Sequence, residues 1–327
     1  MTTSLAISID DIHRAAERLK GHAVRTPLLE FAPLNAVVGR RVLVKFEGVQ
    51  HTGSFKFRGA FNRLSAIAPD DRAGGVVAWS SGNHAQGVAY AAQMLGISAT
   101  IVMPGDAPRI KVNNTLAYGA DIVTYDRYSE SREEIAIGIA KERGAVIVPS
   151  YNDPMIIAGQ GTAGLEILEQ AAELGASVGT VVACCGGGGL TSGIATAVKS
   201  QIADAAIFAA EPEGFDSMGR SLRSDHAIGN DEGARSICDA LQSPLPGEMT
   251  LAINRHLGVG GLAVSDDEVR NAVRFAFEKL KLVAEPGGAA ALAAALSGKV
   301  PDNGGALALT ISGSNVDEDV FRDILTQ

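Results

Sequence analysis

Two periods of apolar residues alternate along the chain. Short runs that are apolar nearly throughout and rich in β-branched residues occur at 42–46, 76–79, 99–103, 121–125, 146–148, 180–184, 206–209 and 306–311. Such runs fit strands buried on both faces of a parallel sheet. Between them the apolar period lengthens to that of a helix. Ser265-x-x-Glu268 forms a capping box, followed by Val269, Val273, Ala276, Phe277 and Leu280 at helical spacing. Ser8-x-x-Asp11 ahead of Ile12, Ala15, Ala16 and Leu19 is a weaker start of the same kind, closed by Gly21. Repeated strand–helix alternation predicts an α/β protein with helices on both faces of its sheets. The polar segment 220–248, with Gly229, Gly233 and Pro244, reads as a surface excursion, and no fixed-period repeat occurs.

Composition narrows the class. The chain has 327 residues, 46% hydrophobic and 20% charged, with a net charge of −9, and 38 glycines. This excludes a mostly disordered chain and argues against bulk nucleic-acid binding, which needs a basic face. Cys184, Cys185 and Cys238 form no C-x-x-C pair, so neither a zinc site nor a redox pair is expected, and a reducing, cytoplasmic compartment is the simplest reading. The adjacent Cys184 and Cys185 read as small packing residues at a strand end. The N-terminus has no signal-peptide pattern, and the alanine-rich run 289–296 is too short for a membrane span, so no membrane partner is expected.

Three glycine-containing turns follow this pattern of strand, loop and helix, where α/β folds bind ligands. In Gly186-Gly187-Gly188-Gly189-Leu190 a strand runs into a helix through four residues without side chains, and their N–H groups suit a phosphate. The dinucleotide fingerprint fails there. It occurs literally at Gly159-Gln160-Gly161-Thr162-Ala163-Gly164, but no clear strand precedes it. Ser80-Ser81-Gly82-Asn83-His84 gathers polar groups at a helix entry, beyond what N-capping needs. Thr52-Gly53-Ser54-Phe55-Lys56-Phe57-Arg58-Gly59 sets Lys56 between aromatics at a helix start, a setting that lowers a lysine pKa and suits a Schiff-base amine.

These motifs together resemble the serine/threonine dehydratase family of pyridoxal-phosphate enzymes. Ser54 to Ala60 resembles its lysine motif. Ser81-Gly82-Asn83-His84, the tetraglycine run, Glu285-Pro286-Gly287-Gly288 and Ser312-Gly313-Ser314-Asn315 match in the family's order, from about residue 8 to 320. The resemblance implies the tryptophan synthase β-like fold: two three-layer α/β domains with mostly parallel sheets. The large domain would comprise 1–66 and 151–327, and the small, mobile one 67–150. It implies that Lys56 holds pyridoxal phosphate through a Schiff base and then acts as general base. Phe55 would lie on the ring, Asn83 on the ring hydroxyl and Ser312 on the pyridine nitrogen. Gly186, Gly187, Gly188, Gly189 and Leu190 would hold the phosphate, and Glu285 would belong to the cofactor site. A serine on the nitrogen makes a weaker electron sink than an aspartate, which favours β-elimination over transamination. Thr52, Ser81, Gly82, Asn83 and His84 would receive the substrate, with Ser81 the opposite-face acid/base in racemising relatives.

Tyr151 stands where serine racemase has an asparagine, and threonine dehydratases often carry an aromatic there. Ala240 departs from the Asp-Gly pair of serine racemase. The expected activity is therefore an L-threonine/L-serine ammonia-lyase giving a 2-oxo acid and ammonia. The alternatives are a dehydratase of phenylserine or 3-hydroxyaspartate, a serine racemase, or a non-catalytic phosphate-binding module. A β-carboxylate would need a further cation; Arg132 is the candidate, although an arginine there reads more plainly as a solvated surface residue. Glu211 matches the start of the family's divalent-cation site, which would hold Mg²⁺ or Ca²⁺. A homodimer is implied, and feedback through a C-terminal regulatory domain is not expected.

Overall fold

The computed structural model describes residues 5–80, 82–126 and 128–326. In chain order its strands are β1 (Leu28–Glu30), β2 (Val42–Phe46), β3 (Val76–Trp79), β4 (Ala99–Pro104), β5 (Asp121–Tyr125), β6 (Val146–Ile147), β7 (Val178–Cys184), β8 (Ala206–Pro212), β9 (Gly260–Val264) and β10 (Ala306–Ile311). The helices of the first half are α1 (Ile9–Leu19), α2 (Ala32–Val38), α3 (Lys56–Ser65), α4 (Asn83–Leu95), α5 (Arg109–Ala117) and α6 (Arg132–Arg143). Those of the second half are α7 (Pro154–Glu173), α8 (Gly189–Gln201), α9 (Ser217–Leu222), α10 (Glu248–His256), α11 (Asp266–Phe275), α12 (Ala290–Leu296) and α13 (Glu318–Thr326).

The strands divide between two sheets. One has the order β1-β2-β10-β7-β8-β9 and is parallel except for β1, which pairs antiparallel with β2. The other, β5-β4-β3-β6, is wholly parallel. Period-2 alternation sends neighbouring side chains to opposite faces. Val182 and Leu309 join a core with α11 and α12, whereas Val181, Ala183 and Ala308 join one with α7 and α8. In the second sheet, Ala78 and Ile101 pack with α3 and α4, while Val77 and Val102 pack with Ala136 of α6.

Both capping boxes are present, at Ser8/Asp11 and Ser265/Glu268. Some expectations change. β8 runs on to Pro212, and β1 and β9 lacked a signal, one because it is three residues long and the other because it opens on Gly260-Gly261. β5 is an edge strand with Asp121 and Thr124 exposed. A π-turn over Ala276–Leu280 shifts the register after α11 and leaves Phe277 exposed. The segment 220–248 is not simply a surface excursion, because Cys238 and Leu241 are buried and residues 239–243 wall a cavity.

The glycines at 159, 161 and 164 lie inside α7. A Cβ at Gly159 would stand 2.7 Å from the Arg58 carbonyl oxygen and from Gly59 Cα; one at Gly161 would stand 2.9 Å from the Gly193 oxygen. Their absence lets α3 and α8 both pack backbone-to-backbone on α7. That brings the N-terminus of the Lys56 helix beside the N-terminus of the tetraglycine helix. Beneath α3 a buried ionic network holds it in place. Arg58 pairs with Glu47 at 2.9 Å and Glu166 at 2.7 Å, and Lys45 pairs with Glu166 at 2.6 Å. Burial lowers the Lys45 pKa, while the two carboxylates raise that of Arg58 despite its burial.

Candidate active site

A cavity of about 910 Å³, counting its open mouth, lies where β3, β7 and β10 end. Three features with independent origins meet in its wall. Lys56 opens α3 and reaches into it, with Nζ 2.9 Å from the Ser150 carbonyl and 5.2 Å from the centre of the Phe55 ring. Burial lowers its pKa to about 8, so the amine loses its proton far more readily than a solvated lysine. The Phe55 N–H donates to the Ser312 carbonyl, which joins the start of α3 to the end of β10.

The tetraglycine loop forms the second feature. Gly188 takes φ +93°, a left-handed conformation suited to glycine, and α8 begins at Gly189. The first closed bond of α8 runs from the Ser192 N–H to the Gly188 carbonyl at 2.9 Å. The N–H groups ahead of it are the free donors of a helix N-terminus. A Cβ at Gly187 would collide with the Tyr151 ring, and one at Gly188 with Met218 and Thr250. The Thr250 hydroxyl donates to the Gly187 carbonyl at 2.6 Å, so the carbonyls are turned away to side-chain and backbone donors. This is a bare backbone cradle with a helix dipole behind it, which is the donor set a phosphate monoester requires.

The third feature is the start of α4. Its first closed bond runs from Gln86 N–H to Gly82 carbonyl, leaving the N–H groups of Asn83, His84 and Ala85 for a second anion. Asn83 Nδ2 donates to Glu285, and its Oδ1 accepts from Asn315 Nδ2 at 2.9 Å. His84 is buried, and its Nε2 lies 2.9 Å from the Val148 carbonyl, which can only accept. Nε2 therefore carries the proton, and Nδ1, which has no partner, is an acceptor. Burial and the Lys56 charge push the His84 pKa down to about 3, so the ring is neutral. Toward a carboxylate, therefore, His84 offers its backbone N–H, while the imidazole in this tautomer presents an acceptor. Ser81 lies outside the described residues. Thr52 adopts a left-handed φ of 62°, its carbonyl accepts from Asn315, and it is absent from the cavity wall.

Ser312 and Tyr151 line the cavity, and Tyr151 Oη lies 3.4 Å from the Leu245 carbonyl. Glu285 is buried just behind the wall. Sequence reasoning missed Lys111 and Ser243, both of which line the cavity, and named Arg132 as a candidate cation while preferring its plainer reading, a solvated surface residue. Arg132 in fact lines the same cavity, with its side chain 30% exposed and its Nε 3.0 Å from Glu133. The one available sign of Lys111 was negative: α5 buries Lys111 and Thr115 and has no apolar stripe.

Around Glu211, the expected start of a divalent-cation site, the structure shows a helix cap. Its two carboxylate oxygens accept from the N–H groups of Met218 at 2.8 Å and Gly219 at 2.7 Å at the start of α9. Burial raises its pKa to about 8. Asp216 pairs with Arg220 at 3.3 Å, and among the described residues no group of three His, Cys, Asp or Glu side chains could hold a metal ion.

A depressed lysine, a phosphate cradle and a second anion site in one cavity define an enzyme built around a phosphorylated aldehyde cofactor. Comparison with known proteins makes this specific. Residues 19–313 match the family described as pyridoxal-phosphate dependent enzyme, and the chain belongs to it. It is 42% identical over 318 residues to an L-threo-3-hydroxyaspartate ammonia-lyase from Pseudomonas sp, covering 97% of this chain and 98% of that one. It is 39% identical to an L-threonine ammonia-lyase from Thermotoga maritima, covering 98% of this chain and 79% of the relative. Maize serine racemase superposes with a TM-score of 0.92 at 36% identity, covering 98% of this chain and 97% of that one. The cofactor is pyridoxal phosphate, the fold is the tryptophan synthase β-like one, and the protein is a pyridoxal-phosphate-dependent lyase of the ammonia-lyase and racemase group.

Proposed function

We propose that the enzyme removes water from L-threo-3-hydroxyaspartate, yielding a 2-oxo acid and ammonia. Arg132 carries this reading, because it supplies the cavity with the added cation that a β-carboxylate needs. The similarity to the Pseudomonas ammonia-lyase supports it. A second reading is dehydration of L-serine or L-threonine, favoured by Asp239, an anion in the same wall that would oppose a second carboxylate where Lys111 does not offset it.

When bound, pyridoxal phosphate supplies the electron sink that makes the substrate Cα proton labile. The chain's own groups do the rest. Lys56 Nζ would hold the cofactor and would be placed to take the Cα proton. The N–H groups of Gly186 to Leu190 hold the phosphate, and those opening α4 hold the α-carboxylate. Phe55 and Ser312 bear on the ring. Tyr151, packed on Gly187, bounds the space at the β-carbon. The hydroxyl would leave the β-carbon as water with the proton that Lys56 took from Cα, and the released enamine would tautomerise to an imine that water hydrolyses to the 2-oxo acid and ammonia. Residues 67–150 are read as a smaller domain that closes over the substrate and excludes water. A cytoplasmic homodimer completes the reading.

A substrate panel scored by ammonia release tests it, beside a chiral assay for racemised product. L-threo-3-hydroxyaspartate is expected to give the highest kcat/KM. Arg132→Met should lower that value about 100-fold or more while changing the L-serine value less than about threefold. Equal losses on both substrates would refute the role of Arg132. Lys56→Ala should abolish both activities and the borohydride-trapped cofactor adduct.

A further inference from the structure

α5 turns a lysine inward, and that lysine meets two carboxylates. Lys111 Nζ lies 3.0 Å from Glu285 Oε2 and 2.7 Å from Asp239 Oδ2, and its side chain is 1% exposed. The three groups come from three separate parts of the chain. The Lys111 stem crosses Gly82, where a Cβ would collide with it. The other oxygen of Glu285 accepts from Asn83 Nδ2, while Asn83 Oδ1 accepts from Asn315. The Asn83 amide thus has its oxygen and one N–H committed and a second N–H left over. This orientation requires that Glu285 only accept. A protonated carboxyl could donate to Asn83, and the amide could then turn round. Burial pushes the Glu285 carboxyl above its usual range, and the Lys111 ammonium is the largest influence against that rise.

We propose that Lys111 is a positioning residue for the cofactor. Its ammonium keeps Glu285 a pure acceptor, and Glu285 with Asn315 then fixes the Asn83 amide so that one N–H remains for the cofactor's ring oxygen. The inference rests on pyridoxal phosphate as cofactor and not on the choice of substrate.

The test compares the holoenzyme with Lys111→Met, Lys111→Arg and the double variant Lys111→Met/Glu285→Gln. Pyridoxal phosphate affinity is read by titration, the visible absorption band by its position and pH response, and the fold by circular dichroism. Lys111→Met should bind the cofactor at least about tenfold more weakly and show an altered band, while Lys111→Arg stays within about threefold of wild type. The double variant should recover at least about threefold over Lys111→Met, since the amide oxygen at 285 can accept from Asn83 with no ammonium beside it. A lysine with only a structural role would lower the melting temperature and leave the band unmoved. The proposal is overturned if Lys111→Met matches wild type in affinity and band, if folded Lys111→Arg is as weak as Lys111→Met, or if the double variant shows no recovery. Should Lys111→Met not fold, Lys111→Arg and the double variant decide against wild type.

Discussion

Lys56 sits at a helix N-terminus, in a cavity, with no carboxylate partner among the described residues, and burial alone lowers its pKa to about 8. The neutral amine is the species that attacks an aldehyde. Its fraction rises with pH to one half at about 8 and is nearly complete about one unit higher. Apoenzyme mixed with pyridoxal phosphate should therefore reconstitute about tenfold faster per pH unit through the range below this value, then level off. Stopped-flow absorbance checks this, and a rate independent of pH from 6 to 8.5 would mean the amine is already neutral. The motif around Lys56 was legible because its chemistry lies in consecutive residues. Lys111 was not, and Arg132 was only a candidate, because their roles arise where distant segments meet. His84 was legible as a site residue but not in its protonation, which a carbonyl 64 positions away decides.

At the scale of elements, strand–helix alternation and both capping boxes could be read directly, because they depend on local pattern. The glycines of α7 could not. In sequence they imitate a phosphate-binding fingerprint, whereas in the fold they mark where two helices press on a third. Gly159→Ala should overpack the α3–α7 contact, where the neighbours are backbone and cannot yield, at a cost of about 1–3 kcal/mol. Calorimetry should record a melting temperature lower by about 2–4 °C per kcal/mol. Gly138→Ala in α6 is the control, since a Cβ there meets nothing within 4 Å. It should leave the protein unchanged or stabilise it by about 0.5–1 kcal/mol. Equal melting temperatures for the two variants would refute the packing argument.

Over the whole molecule, the proposed cofactor site draws on both sheets: Lys56 and Asn83 open helices packed on the smaller one, and Gly186 to Leu190 and Ser312 follow strands of the larger. Pyridoxal phosphate should therefore stabilise the entire fold, by about 2.7 kcal/mol at a hundredfold excess over its dissociation constant. EDTA or added Mg²⁺ should shift the holoenzyme's melting temperature by less than about 1 °C, because Glu211 is already satisfied by backbone donors. A chelator-induced drop reversed by Mg²⁺ would contradict that reading of Glu211. The net charge of −9 is compatible with binding two anions, since helix N-termini, not a basic surface, receive them.

The buried quartet of Lys45, Glu47, Arg58 and Glu166 also constrains how this sequence can vary. Its two positive and two negative charges cancel, and each is held by at least one of the others. Replacing any one strands an opposite charge in the interior, which is far costlier than replacing a matched pair. Substitutions at these four positions should therefore be epistatic. A lineage drifting away from this sequence would cross that region by coordinated exchange, or keep all four residues while the surface around them diverged.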